Sequence, residues 1–459
     1  MDTIISINPA NNEVLGEVAV SSQKEIHEKV ARARRAFPGW SALGVQKRVE
    51  LLKKVVDGFS QRQEDFALLT TREMGMPISQ SRADVKDAIS YFQWYLEHAE
   101  NYLSPEITYE DEKSIDQIFY EPIGVVAVIV PWNFPLSNFV WGAGQNLIVG
   151  NTIVFKDSQE TALCGKLIEE IIAQAGLPDG VFSEVYGGGD IGNMLARESI
   201  DLISFTGSTK VGHALYKVVA DAERMMKIVM ELGGSAPGII FEDAKLDDVL
   251  ETMYASRFTN CGQMCDAMKR LLVHESRFEE VVEKLKNKLK SVKVGNPEEE
   301  STDIGPLVAS RQLELLEAQV KDALDKKAEI VIGGHRLENL GGAFYEPTLL
   351  TQITKDMRVW KEEVFGPVLP LVSFKTEEEA IELANDTAYG LGAYVFTSNK
   401  ETALRVASQL QSGMVSINNI SYVKPCNPFG GYKKSGIGRE HGKFGFHELT
   451  QVKVVSMEK

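Results

Sequence analysis

From Ile118 onward the chain repeats one unit, a short apolar run followed by an amphipathic stretch, and that alternation restricts the possible folds more than any other feature. The apolar runs are Val125 to Val130, Thr152 to Phe155, Val181 to Val185, Asp201 to Phe205, Ile228 to Met230 and Gly238 to Phe241. Helical patterns separate them, among them Ala162 to Ala175 and Val211 to Ala220. Parallel strands need a long crossover and amphipathic helices supply one, so the pattern predicts βαβ units and a mostly parallel sheet. A second cycle occupies residues 245 to 435, with helices near Arg277 to Leu289 and Arg311 to Lys326. Its strands lie near Ile330 to Ile332, Val368 to Phe374 and Ala393 to Phe396. A chain of 459 residues exceeds what one core serves, which fits two α/β domains joined near residues 232 to 245. Residues 22 to 102 have helical periodicity, as in Val49 to Phe59 and Phe92 to Tyr102. Lys113 to Tyr120 and Thr450 to Ser456 alternate as exposed strands do. Two such strands need a sheet to join, so they predict a small module that pairs with another subunit.

Charge and composition exclude several classes. A net charge of -16 with no basic stripe repels a phosphate backbone, so no nucleic acid is expected as partner. The most apolar run, Gly124 to Val130, is far shorter than a bilayer span and is closed by Pro131, so no membrane segment is expected. The opening Met1-Asp2-Thr3-Ile4-Ile5-Ser6 lacks the basic, apolar and small-residue pattern of a secretory leader, and the expected location is cytoplasmic. Four cysteines, none in CxxC spacing, predict free thiols.

One of those thiols sits in an unusual setting. Arg257-Phe258-Thr259-Asn260-Cys261-Gly262-Gln263-Met264-Cys265-Asp266 places Cys265 after a glycine-containing turn and ahead of an expected helical run. Helix-terminal N–H groups would favour a thiolate there, making Cys265 a nucleophile candidate; a core cysteine is the plainer reading. Cys261 and Cys265 could also share a helix face as metal ligands, but no histidine pair accompanies them and no metal is expected. Glu231 ends an apolar strand before Gly233-Gly234, at the carboxyl edge where sites in α/β folds collect, and desolvated it could serve as general base. A lone glutamate there can equally be solvated or salt-bridged. Asn133, between Pro131 and Pro135, is an amide suited to an oxyanion, or simply a turn residue. Two glycine patterns compete for a dinucleotide. Gly187 to Gly192 satisfies GxGxxG, whereas Gly207-Ser208-Thr209-Lys210-Val211-Gly212 follows a strand and opens a helix.

Taken together these segments resemble the aldehyde dehydrogenase superfamily, from Asn8-Pro9 to the C-terminal strand. The blocks are PWNFP (131–135), FTGST (205–209), ELGG (231–234), FTNCGQMC (258–265), EEVFGP (362–367), NDTAYGLGAYVFT (385–397) and PFGGYKKSGIGREHGKFG (428–445). Seven ordered blocks carry far more information than any single motif. The resemblance implies an α/β fold with a Rossmann-like cofactor domain (1–110 and 123–234), an α/β catalytic domain (235–435) and a small β oligomerisation module (111–122 and 446–459). It implies oxidation of an aldehyde to a carboxylic acid with NAD or NADP, in a homodimer or homotetramer. Cys265 would attack the aldehyde, Asn133 and the Cys265 backbone N–H would hold the oxyanion, and Glu231 would activate water against the thioester. For the cofactor it implies Trp132, Lys156, Gln159, Gly207 and Ser208, with Gly189 under the adenine, Glu363 on the nicotinamide ribose and Phe365 beside the nicotinamide.

The departures bear on specificity. The usual Lys-Pro-x-Glu is Lys156-Asp157-Ser158-Gln159 here, and neutral Gln159 removes the repulsion a carboxylate would offer a 2′-phosphate. A common lysine after PWNFP is Gly142, and ELGGK has become ELGG-Ser235. The pocket implied by the resemblance is lined by Ser137, Asn138, Trp141, Met264, Asp266 and residues 420 to 427. Members resembling succinate-semialdehyde dehydrogenases commonly present an arginine after PWNFP; none lies between Asn133 and Asn151. Lys424 is the nearby cation, and Asp266 would oppose an anionic substrate if it faces the pocket. Succinate semialdehyde remains one candidate. A CoA-acylating enzyme is an alternative that Glu231 argues against, and a non-enzymatic structural role is another.

Overall fold

The computed structural model describes residues 2–420 and 422–459; Met1 and Ser421 lie outside them, the latter within the predicted pocket loop. Among the described residues the strands form four sheets. The first half builds a six-stranded sheet in the order Gly436–Ile437, Lys227–Glu231, Leu202–Thr206, Val125–Ile129, Thr152–Lys156, Phe182–Glu184, parallel except for the first. Val125–Ile129 is buried throughout. Its alternate residues serve different cores: Val126 and Val128 join the cluster of the long N-terminal helices, and Val125, Ala127 and Ile129 join the cluster containing Ile26, Ile191 and Leu215. A strand covered on both faces has no polar side to show, which explains its continuous apolar run.

The second half builds a seven-stranded sheet in the order Glu329–Ile332, Thr348–Thr351, Val368–Phe374, Met268–His274, Ala236–Ile240, Gly392–Phe396, Met414–Ile417, parallel except at the first pair. A three-stranded antiparallel sheet joins Thr450–Glu458, Ser114–Pro122 and Glu106–Glu110. The last of these falls before the boundary at 111 read from the sequence; its side chains are all exposed, and its short alternation rests on Ile107 and Tyr109 alone. An opening hairpin, Thr3–Ile7 with Val14–Ala19, was not foreseen either.

The mixed α/β fold follows the strand and helix alternation closely, with one consequential exception. No helix follows Cys265. The helix Leu246–Phe258 precedes it, a short 3-10 turn spans Thr259–Gly262, and the buried strand Met268–His274 begins three residues later. The run Met268-Lys269-Arg270-Leu271-Leu272-Val273 is a central strand whose Leu271 and Leu272 face different cores, so a helix-dipole argument does not apply to this thiol. Cys261 lies in the irregular turn at φ +55 and is buried, so the two cysteines share no helix face. No group able to hold a metal occurs among the described residues.

Candidate active site

The carboxyl edge of the six-stranded sheet carries nearly every predicted residue of the first half. Trp132 and Asn133 follow Val125–Ile129, Lys156 ends Thr152–Lys156, and Gly189 follows Phe182–Glu184. Gly207 and Ser208 follow Leu202–Thr206, and Glu231 ends Lys227–Glu231. From the other sheet come residues at amino ends of strands, Cys265 before Met268–His274, and Glu363 with Phe365 before Val368–Phe374. The two edges enclose a cavity of about 560 Å³. Cys265, Glu231, Asn133, Trp132, Gly207, Ser208, Glu363 and Phe365 all line it; Lys156, Gln159 and Gly189 do not.

Cys265 is partly exposed into this cavity. Burial, then the Asp266 carboxylate, push its thiol well above the ordinary range, against the opposing pull of Lys269. Burial and Asp266 both favour the protonated thiol, so its reaction calls for a base. Glu231, 2% exposed, lines the same cavity, with both carboxylate oxygens lacking hydrogen-bond partners. Burial first and the neighbouring Glu440 second raise its pKa well above the usual range, with Arg439 opposing. Burial likewise lifts Glu440 to about 7. Asn133 is held by its neighbours: its Oδ1 accepts from Asn138 Nδ2 at 3.2 Å and its Nδ2 donates to the Gln263 carbonyl at 3.0 Å. An amide Nδ2 has two protons, so one remains to meet an oxyanion.

Close glycine contacts explain why the sequence blocks travel together. A Cβ on Gly430 of PFGG would come within 2.7 Å of Glu231 Oε1, and one on Gly262 within 2.5 Å of the Gly366 carbonyl. Gly233 lies against Glu363 in the same way, at 2.3 Å from Oε2, while the Gly234 N–H donates to Glu363 Oε1 at 3.1 Å. Gly436–Ile437 pairs antiparallel with Met230–Glu231, stitching the final block to the glutamate's own strand. Gly142, where a lysine is common, sits in a π-helical turn against the central strand, and a Cβ there would meet Val128 Cγ1 at 2.8 Å.

Sequence reading missed Lys269, Glu440 and the helix face bearing Asp84, Asp87 and Tyr91. Lys269 is fully buried and donates to the Gly234 and Cys265 carbonyls, each at 2.9 Å, and to Glu363. It supplies a cation beside Glu363 in a chain that lacks the ELGGK lysine, and two basic residues opening an apolar strand were the available signal. Lys424, by contrast, is exposed and outside the cavity lining.

The remaining cofactor candidates end or follow strands at the carboxyl edge of the six-stranded sheet. The Val130 N–H donates to the Lys156 carbonyl at 3.1 Å, linking the strand ends. A Cβ on Gly188 would come within 2.9 Å of Gln159 Oε1, and one on Gly192 within 3.6 Å of the Lys156 side chain. Gly189 opens its helix with nothing within 4 Å of a Cβ position, leaving room for a planar group. Ser208 caps Thr209–Asp221, so a second helix N-terminus faces the same edge. Burial lowers the Lys156 ammonium to about 8, and its Nζ donates to the Asp157 carbonyl at 3.0 Å. This run of helix termini, glycines and a lysine suits a dinucleotide laid across the strand ends.

Comparison with known proteins agrees with that chemistry. Residues 1–455 match the Aldehyde dehydrogenase family. The chain is 38% identical over 459 residues to the mitochondrial succinate-semialdehyde dehydrogenase of Oryza sativa subsp. japonica, covering 99% of this chain and 86% of that one. It is 36% identical to the NADP(+) succinate-semialdehyde dehydrogenase GabD of Escherichia coli (strain K12), covering 97% and 92%. A crystal structure of betaine aldehyde dehydrogenase from Staphylococcus aureus in complex with NAD+ superposes with a TM-score of 0.94 at 34% identity, covering 99% of this chain and 91% of that one.

Proposed function

The chain belongs to the aldehyde dehydrogenase family and oxidises an aldehyde to a carboxylic acid with NAD or NADP; on that premise we propose that Cys265, Glu231 and Asn133 carry the chemistry. The observation that supports this assignment is their convergence on one cavity from two sheets. The thiol gives its proton to the base facing it, Glu231, and the sulfur adds to the carbonyl carbon while Asn133 donates to the oxygen. The bound dinucleotide supplies the hydride acceptor, leaving an acyl group on Cys265. Glu231 passes the thiol's proton to solvent and then takes one from water as the water oxygen adds to the thioester; the carbon–sulfur bond breaks as the acid forms, and Glu231 returns its proton to the leaving sulfur. Lys269 is placed to fix the Cys265 carbonyl and Glu363 relative to one another.

Trp132, Lys156, Gln159, Gly189, Gly207, Ser208, Glu363 and Phe365 are the proposed dinucleotide contacts. The aromatic pair Trp132 and Phe365, centroids 5.6 Å apart and nearly perpendicular, supports a planar ring site near the thiol. The cofactor domain is proposed to span 1–110 and 123–234, apart from the strand Glu106–Glu110 that joins the three-stranded sheet, and the catalytic domain 235–435. Glu160 does not replace the missing carboxylate at 159, since it pairs with Arg311 at 2.7 Å. The test is a crossed panel of aldehydes with NAD and NADP, following reduced cofactor. Acid production without CoA is the expected outcome; a strict CoA requirement would favour the acylating reading. In the same assay Gln159→Glu should lower kcat/KM with NADP relative to NAD by about tenfold, roughly the value of one new like-charge contact. An unchanged ratio would place the ribose elsewhere.

The residues 111–122 and 446–459 are proposed as oligomerisation strands. Val452 and Val454 are 59% and 65% exposed on an edge strand, and such an edge pairs readily with another copy. Light scattering should give the mass of a dimer or tetramer, and a monomer at micromolar concentration would count against it.

A further inference from the structure

The helix Ile78–Leu103 turns most of its apolar stripe inward, but Asp84, Asp87 and Tyr91, spaced three and four residues apart, share another face. That face lines the Cys265 cavity together with Ser137, Asn138 and Trp141 of the segment after PWNFP. The charged side chains lining the cavity are all carboxylates; among the described residues no lysine, arginine or histidine reaches it. Glu363 is neutralised by Lys269, and Glu231 with Glu440 forms the buried acid pair of the proposed chemistry. Asp84, Asp87 and Asp266 remain to meet the rest of the substrate.

Three of the lining carboxylates, Glu231, Asp84 and Glu440, are short of partners. Asp84 Oδ1 accepts from Ser137 Oγ at 2.5 Å, but its Oδ2 is enclosed with no hydrogen bond. Glu440, only 6% exposed, has a similarly unpartnered Oε2. The intervening wall is aromatic: Tyr91 stacks on Trp141 at 5.8 Å, and Trp141 meets Phe429 at 5.2 Å. Aromatic faces beside carboxylates, with no cation to compete, attract a positive group and repel a negative one. Burial, against the Ser137 hydrogen bond, holds Asp84 up to about 7, and a cation alongside would take the place of its proton.

We infer that the preferred aldehyde carries a positively charged tail, an alkylated or free ammonium group a short chain from the carbonyl, received by Asp84, Asp87 and the Tyr91–Trp141 wall. This rests on the reading of Cys265 as nucleophile, and it separates this chain's specificity from that of a carboxylate-tailed semialdehyde enzyme. An anionic tail would meet three carboxylates and no partner.

The experiment compares kcat/KM for 2-(trimethylammonio)acetaldehyde, for its uncharged carbon isostere 3,3-dimethylbutanal, and for succinate semialdehyde. Shape is held constant between the first two, so their ratio reports charge. The cationic aldehyde should exceed the isostere by at least about tenfold, and succinate semialdehyde should fall below the isostere. In the Asp84→Asn, Asp87→Asn double variant the cation-to-isostere ratio should drop by about tenfold, and Asp87→Asn alone should lower it by less. Because a ratio is read, a general loss of activity does not imitate the effect. Preference for succinate semialdehyde over the isostere, or a ratio unchanged in both variants, would overturn the inference. No turnover of any of the three aldehydes would instead overturn the nucleophile assignment beneath it.

Discussion

Cys265→Ser is expected to lower steady-state aldehyde oxidation by more than about a thousandfold, because the sulfur is the atom that must bond to carbon. The thiol in this site already resists ionisation through burial and Asp266. A serine hydroxyl ionises at far higher pH still and makes a poorer leaving group when the acyl bond is hydrolysed. Dinucleotide binding, read by calorimetry, should persist, since no proposed cofactor contact is removed. Turnover within tenfold of the parent would sink the assignment. Cys261 offers no substitute nucleophile: it is 1% exposed, and burial lifts its thiol to about 12.

Glu231→Gln separates the two halves of the reaction. If the cavity glutamate is required chiefly to deprotonate water, the variant should release about one equivalent of reduced cofactor per site and then slow by about a hundredfold or more. Rapid-mixing absorbance resolves the burst from the steady state. A slow burst would mean that Glu231 also takes the thiol proton, a role their shared cavity supports; undiminished steady-state turnover would exclude both roles. The parent enzyme's sign with pH follows from the same carboxylates. Glu231 is raised well above the usual range and Glu440 to about 7, so the basic form grows as pH rises. Deacylation should therefore accelerate upward through neutral pH, and a rate that falls between pH 6 and 8 would contradict the base assignment (these pH bounds are roughly one unit either side of such a group).

Much of the site was legible one block at a time, and the structure explains why the blocks occur together. Gly262 belongs to the thiol segment yet packs on Gly366 of EEVFGP, and Gly430 of PFGG makes room for Glu231 of ELGG. Each glycine is a place where one segment's backbone lies against another's, so the motifs are halves of shared contacts. Reading failed where a local pattern had two solutions. The stretch after Cys265 could be a helix or a buried strand by apolar content, and only its placement between Ala236–Ile240 and Val368–Phe374 decides for strand. Asp84 and Asp87 carry no signal of their own in the sequence, because a charge facing water and a charge facing a polar cavity leave the same helical spacing.

The alternation of apolar runs and amphipathic stretches by itself determined the two parallel sheets, since side-chain period and crossover length are local properties of the chain. The roles proposed for Cys265, Glu231 and Asn133 rest on residue type, strand ends and the resemblance that the order of the blocks carries. The tertiary structure decided which groups share one enclosed space. Lys269 reaching Glu363, Glu440 beside Glu231, and a helix face of aspartates lining the cavity of the thiol bring together residues distant in sequence. Burial and pairing set the charge of such groups, and both arise only when the carboxyl edge of one sheet is brought against the amino edge of the other.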